Sequence, residues 1–194
     1  MSRAVMLVSV GLLTVVASVP GVVAGSGVRC EGLVAAVGTD GADVIYGTPG
    51  DDIIHSLGGH DVIFGRGGDD FLCGGRGRDE IHGEDGRDVI RGGRGSDLLL
   101  GQDGPDELYG ERGHDTIRAG RGSDALFGLE GNDRLYAGPG HDGAEGGDGD
   151  DLMWGMGGDD QLYGLKGNDS ANGGKGDDFC DAEQVAACED GHAH

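Results

Sequence analysis

Gly92-Gly93-Arg94-Gly95-Ser96-Asp97-Leu98-Leu99-Leu100 is one copy of a nine-residue period that runs through most of the chain. Its first six residues read as a turn, because glycine admits the positive φ that turns require. Its last three read as a short strand, with Leu99 pointing one way and Leu98 and Leu100 the other. Outward from this copy, Asp97 belongs to a series of sixteen aspartates nine residues apart: Asp43, Asp52, Asp61, Asp70, Asp79, Asp88, Asp97, Asp106, Asp115, Asp124, Asp133, Asp142, Asp151, Asp160, Asp169 and Asp178. No insertion or deletion interrupts the series, and a glycine stands two residues before every member, from Gly41 to Gly176. Two residues after each aspartate the side chain is usually Ile, Leu or Met, with Ala144, Ala171 and Cys180 as the exceptions. A fixed short period marks a solenoid in which each unit stacks on its neighbours.

The aliphatic position faces inward. Its flanking positions are mixed, for example Glu80, Thr116 and Arg134 before it and His55, Arg91 and Asn172 after it, as a solvent face requires. A three-residue strand cannot stand alone and must stack on copies of itself. Two units then make one coil, and sixteen units make eight coils, roughly 38 Å long at the inter-strand spacing. The fold expected is all-β, a parallel β-roll (a right-handed β-solenoid). Two inward aliphatic side chains per coil make a thin core, which calls for a staple or a metal. Stacked turns set one carboxylate above the next, and they repel unless a cation lies between them. Calcium takes six to eight oxygen ligands from carboxylates and carbonyls, both of which a glycine-rich turn offers.

The repeat resembles the RTX, or hemolysin-type, calcium-binding nonapeptide, Gly-Gly-x-Gly-x-Asp-x-(large aliphatic)-x. Its closest copies are residues 74–82 (GGRGRDEIH), 92–100 (GGRGSDLLL) and 146–154 (GGDGDDLMW). The resemblance covers residues 38–181. It implies a β-roll with several Ca2+ ions, each held between the turns of units n and n+2 by the aspartate side chains and turn carbonyls. Departures are Ser56, Ala119 and Ala137 at the first glycine, and Thr39, Leu57, Arg66, Glu84, Gln102, Glu111, Leu129, Met156 and Leu165 at the second. These turns are expected to bind less tightly. Ala144, between Gly143 and Glu145, marks the weakest strand.

The chain has 36 acidic and 14 basic residues, a net charge of −22. Self-repulsion at that level opposes compaction unless cations are bound. It also argues against a nucleic-acid partner, since no basic patch faces phosphate. Residues 1–24 read as a cleaved secretory signal: Arg3, an apolar stretch from Ala4 to Val16, and small residues at Val22-Val23-Ala24. The apolar run is short for a membrane span, so the mature chain is expected to be extracellular. Export threads unfolded chains, and low intracellular calcium would keep this one unfolded until it leaves.

Four cysteines, Cys30, Cys73, Cys180 and Cys188, suit an oxidising compartment, and three pairings are open. Cys180 with Cys188 is local and would pin the last unit to the tail. Cys30 with Cys73 would pin the N-terminal cap, which then has to fold back. In strict register the two stand two coils apart, about 9–10 Å, beyond disulfide reach. Segments 25–37 and 182–194 read as caps over the open edges. Residues 32–37 (GLVAAV) supply a degenerate first strand, and residues 182–188 (AEQVAAC) one helical turn.

These caps are too short for a catalytic domain, and no serine lies in a Gly-x-Ser-x-Gly context, so no enzyme is expected. The histidines fall at scattered places in the period and read as surface residues. Aromatics recur at the ninth position: Tyr46, Phe64, Tyr109, Phe127, Tyr136, Trp154 and Tyr163. They read first as cross-strand packing and second as a sugar-binding strip. The leading function is a secreted calcium-binding module that folds into a β-roll on binding Ca2+. The alternatives are a calcium-dependent adhesin or glycan-binding module with a surface glycan or protein partner, or an accessory module of a secreted hydrolase.

Overall fold

The computed structural model describes residues 14–15, 36–186 and 188; among these it contains strands and turns and no helix. Successive units alternate between two parallel sheets of ten strands each. Away from the two ends, each strand pairs with those eighteen residues before and after it: Leu98 lies opposite Glu80 and Thr116 in one sheet, Glu107 opposite Val89 and Ala125 in the other. Two units therefore close one coil, and the molecule is the parallel β-roll that the period implies. The inward aliphatics form a single cluster, and Ile63, Leu72, Ile81, Ile90, Leu99, Leu108, Ile117, Leu126, Leu135 and Leu162 are fully buried. The strand at Gly143–Asp148 is intact despite its small side chains: Ala144 is buried, in register between Leu126 and Leu162.

The strands are longer than the expected three residues. Leu98–Asp103 continues into the next unit, and only Gly95, Ser96 and Asp97 remain as the turn before it. The extension depends on the second residue of the unit, which adopts positive φ and bends the chain around the edge while staying in the ladder. Gln102, at φ +82°, lies in register with Gly120. Eight non-glycine residues hold this conformation: Leu57, Arg66, Glu84, Gln102, Glu111, Leu129, Met156 and Leu165. A side chain there costs about 1–2 kcal/mol, partly offset by the greater freedom glycine has when unfolded. Leu129, at φ +79° and 42 % exposed, gives up little burial if truncated. Leu129→Gly is therefore expected to raise the denaturant midpoint of the folded chain by about 0.5–1 kcal/mol of stability; a lowered midpoint would contradict this. The glycine two residues before each aspartate from Asp61 onward answers to a stricter demand. A Cβ on Gly95 would lie 1.4 Å from the Gly77 carbonyl of the preceding coil.

The ends depart from the sequence expectation. Instead of a helical turn, Gln184–Ala186 forms a strand beside Ser170–Asn172. An open sheet edge offers unpaired N–H and C=O groups, and a strand satisfies them where a helix cannot. Glu183 stands in for the missing aspartate, its Oε2 accepting from Asp169 N–H at 3.0 Å. The Cys180–Cys188 disulfide, with Cα atoms 6.2 Å apart, closes this end. Cys73 is also disulfide-bonded; Cys30, its expected partner, lies outside the described residues. Of the segment read as a degenerate strand, Ala36–Val37 pairs with Ile54–His55. Of the segment read as a signal, only Thr14–Val15 is described, alongside Ile45–Tyr46 at the end of one sheet.

Candidate metal centre

Each repeat aspartate stands where the turn enters the strand, with its side chain turned inward. The fifteen from Asp52 to Asp178 are buried, and Asp43 is half-buried. Their oxygens play different parts. Oδ1 accepts a hydrogen bond from the N–H of the aspartate one coil earlier, as in Asp97 N–H to Asp115 Oδ1 at 2.8 Å. The pattern repeats fourteen times from Asp43 to Asp178, at 2.7–3.0 Å. Oδ2 has no hydrogen-bond partner in fourteen of the aspartates, Asp61 through Asp178. Buried carboxylate oxygens without partners are costly unless something else compensates them.

The glycine five residues before such an aspartate lets the backbone of the next coil and the carboxylate come close together. A methyl built on Gly65 would sit 2.3 Å from Asp70 Oδ2 and 2.7 Å from the Gly83 carbonyl of the next coil. The same holds at Gly74, Gly83, Gly92, Gly101, Gly110, Gly128 and Gly155, with distances of 2.3–2.5 Å to Oδ2 and 2.4–2.9 Å to the carbonyl. Among the described residues no three His, Cys, Asp or Glu side chains converge. What lie near one another are a carboxylate oxygen and a backbone carbonyl of the next coil, oxygen donors of the kind a hard cation takes and unlike the sulfur and nitrogen sets of zinc.

Burial dominates the electrostatics. It pushes the Asp70 carboxyl up to about 8, those of Asp97, Asp106 and Asp142 to about 7, and those of Asp88, Asp115, Asp133 and Asp151 to about 6. The backbone N–H bonded to each partly opposes the rise, and neighbouring carboxylates in the column add to several.

The first two units differ. Asp43 Oδ2 accepts from Thr39 N–H at 2.7 Å and from the Thr39 hydroxyl at 2.8 Å, and Asp52 Oδ2 accepts from Thr48 N–H. A second ladder, which the sequence reading missed, runs on the outside. The residue just before the aspartate accepts from the N–H one coil later, as in Arg78 to His60 Nδ1 at 2.9 Å, Asn132 to His114 Nδ1 at 2.8 Å and Asp159 to His141 Nδ1 at 3.1 Å. These three histidines are not scattered but share one place in the repeat. The available signal was composition: that place holds Asp, Asn, Ser or His in twelve of the sixteen units.

The ninth-position aromatics pack across strands. Tyr46 stacks on Phe64, Tyr109 on Phe127 and Tyr136 on Trp154, with ring centroids 4.5–5.0 Å apart. Arg66, Arg91 and Arg118 lie over the rings of Tyr46, Tyr109 and Tyr136. The ring faces are thus engaged within the ladder, as the packing reading expects. No helix among the described residues is long and apolar enough to cross a membrane.

A family model described as the RTX calcium-binding nonapeptide repeat matches in overlapping stretches, at residues 37–72, 72–99, 91–126, 100–135, 109–144, 120–153 and 145–180. A search of curated proteins finds no match.

Proposed function

The chain belongs to the RTX calcium-binding nonapeptide repeat family, and from that premise we propose that it is a secreted module whose β-roll is completed by Ca2+ held at the aspartate columns. The observation that carries this reading is the file of buried Oδ2 atoms from Asp61 to Asp178 that no protein group satisfies, repeated coil after coil in columns eighteen residues apart. The ligand carboxylates are drawn from the fourteen between Asp61 and Asp178, where Oδ1 stays on a backbone N–H and leaves Oδ2 for the ion. Calcium, when bound, supplies the positive charge that buried carboxylates need. The role is structural or binding rather than enzymatic.

Extracellular placement draws support from the basic and apolar N-terminal pattern and from the Cys180–Cys188 disulfide. Cleavage after Ala24 would remove Thr14–Val15 and leave Val44–Tyr46 as the sheet edge.

Calorimetric titration with Ca2+, with Mg2+ as control, tests the binding itself. Asp97→Asn with Asp115→Asn is expected to weaken binding and remove about one to two ions per chain. Asp103→Asn should leave the titration unchanged, because Asp103 is an exposed strand-end residue beside Arg121. Equal effects from the two changes would refute the assignment.

A further inference from the structure

A cavity of about 610 Å³ opens over the neighbouring strands Phe71–Gly77 and Val89–Arg94. These strands carry matching runs, Cys73-Gly74-Gly75-Arg76 and Arg91-Gly92-Gly93-Arg94. Cys73 lies opposite Arg91, Gly75 opposite Gly93 and Arg76 opposite Arg94. Stacking thus gathers Arg76, Arg91 and Arg94 around one cavity. Gly75 and Gly93 stand at the bend of the unit, where they raise no side chain between the flanking residues. Gly147 leaves the same place bare on this sheet, but between Glu145 and Asp148.

The charges in this cavity are not balanced as they are elsewhere. At the third place of other units a cation meets a carboxylate one coil away: Arg112 with Glu130 at 3.0 Å, Lys166 with Asp148 at 2.7 Å and Arg121 with Asp103 at 3.6 Å. Arg76 and Arg94 occupy the same place, both exposed and side by side, and neither has an ion pair among the described residues. Like charges directly opposite each other repel. Arg91 donates from Nη1 to Glu111 Oε1 at 3.0 Å and lies over the Tyr109 ring, yet its buried Nε has no partner. Asp40 and Glu111 also line the cavity, and carboxylates accept hydrogen bonds from hydroxyls. We propose that the cavity binds an acidic sugar, its carboxylate, sulfate ester or phosphate held between Arg76 and Arg94 and its hydroxyls donating to Asp40 and Glu111. The planar guanidinium fork matches such oxyanions. The volume is that of a small-molecule site. The net charge of −22 repels a polyanion, so the ligand carries only one or two charges. The site lies outside the aspartate columns and requires only that the roll be folded.

The test is calorimetric titration of the whole processed chain, at fixed free calcium and with the roll verified by far-UV circular dichroism. The probes are glucuronate, glucose 6-sulfate and glucose 6-phosphate, with uncharged glucose as control. At least one charged sugar is expected to bind roughly tenfold or more tightly than glucose, and the one that does identifies the oxyanion. Arg76→Gln with Arg94→Gln is expected to lower that affinity by roughly tenfold or more. The β signal should survive, because the change removes a repulsion. Arg121→Gln, on the other sheet, should leave the titration as it is in the wild type. Charged sugars that bind no better than glucose, or a double variant that binds like the wild type, would overturn the proposal.

Discussion

Chelation of calcium at pH 7.5 is expected to abolish most of the far-UV β signal of the processed chain, and millimolar Ca2+, but not Mg2+, to restore it in one cooperative step. Three features make this the largest effect. The chain carries a net charge of −22. Fourteen buried Oδ2 atoms have no protein partner. The core adds only two inward side chains per coil, a thin apolar layer for the eighteen residues that each coil must order. Without the ions the balance favours the open chain, so metal binding becomes folding free energy. Magnesium, smaller and slow to shed its water, suits these carbonyl-lined gaps poorly. Cooperativity follows from stacking, since each coil rests only on its neighbours. A chain with the same ellipticity in EGTA as in calcium, or one that stays unfolded in both, would overturn the proposed function.

Acid should partly replace calcium. In EGTA, lowering the pH from 7.5 to 5 is expected to recover β signal that is missing at neutral pH. Burial raises the folded-state carboxyls of Asp70, Asp97, Asp106 and Asp142 to about 7–8, and those of Asp88, Asp115, Asp133 and Asp151 to about 6, from an ordinary 3.8. At pH 5 the folded state thus holds more protons than the unfolded one. Stability from this source is complete below 3.8 and is lost as the pH rises through 6 to 8. In the presence of calcium the direction reverses, because proton and ion compete for the same oxygens; the calcium midpoint should rise as the pH falls. Circular dichroism across pH with and without EGTA reads both effects. Equal disorder at pH 5 and 7.5 in EGTA would exclude the acid effect.

The roll itself was legible from the period. An unbroken nine-residue spacing with one inward aliphatic leaves little choice but two units per coil, and the eighteen-residue register follows directly. The obligatory glycine before each aspartate was visible too, although only the coordinates show that the carbonyl of the preceding coil is what forbids a side chain at Gly95. The misjudgements share a cause. Strand length, the strand at Gln184–Ala186 and the roles of His60, His114 and His141 all depend on hydrogen bonds between residues fourteen to eighteen apart. Local propensity carries no record of partners at that distance.

Ligand chemistry divides in the same way. Residue identity alone announced a ladder of carboxylates and turn carbonyls, because charge and donor type are properties of each side chain and of the period that repeats it. Which oxygen of each aspartate is already occupied, and whether a gap remains beside it, belongs to the folded molecule. Asp43 and Asp124 look alike in the repeat, yet the Oδ2 of one is satisfied by Thr39 and that of the other is buried without a partner. Room and hydrogen-bond occupancy are set by atoms from several coils at once, and only stacking brings those atoms together.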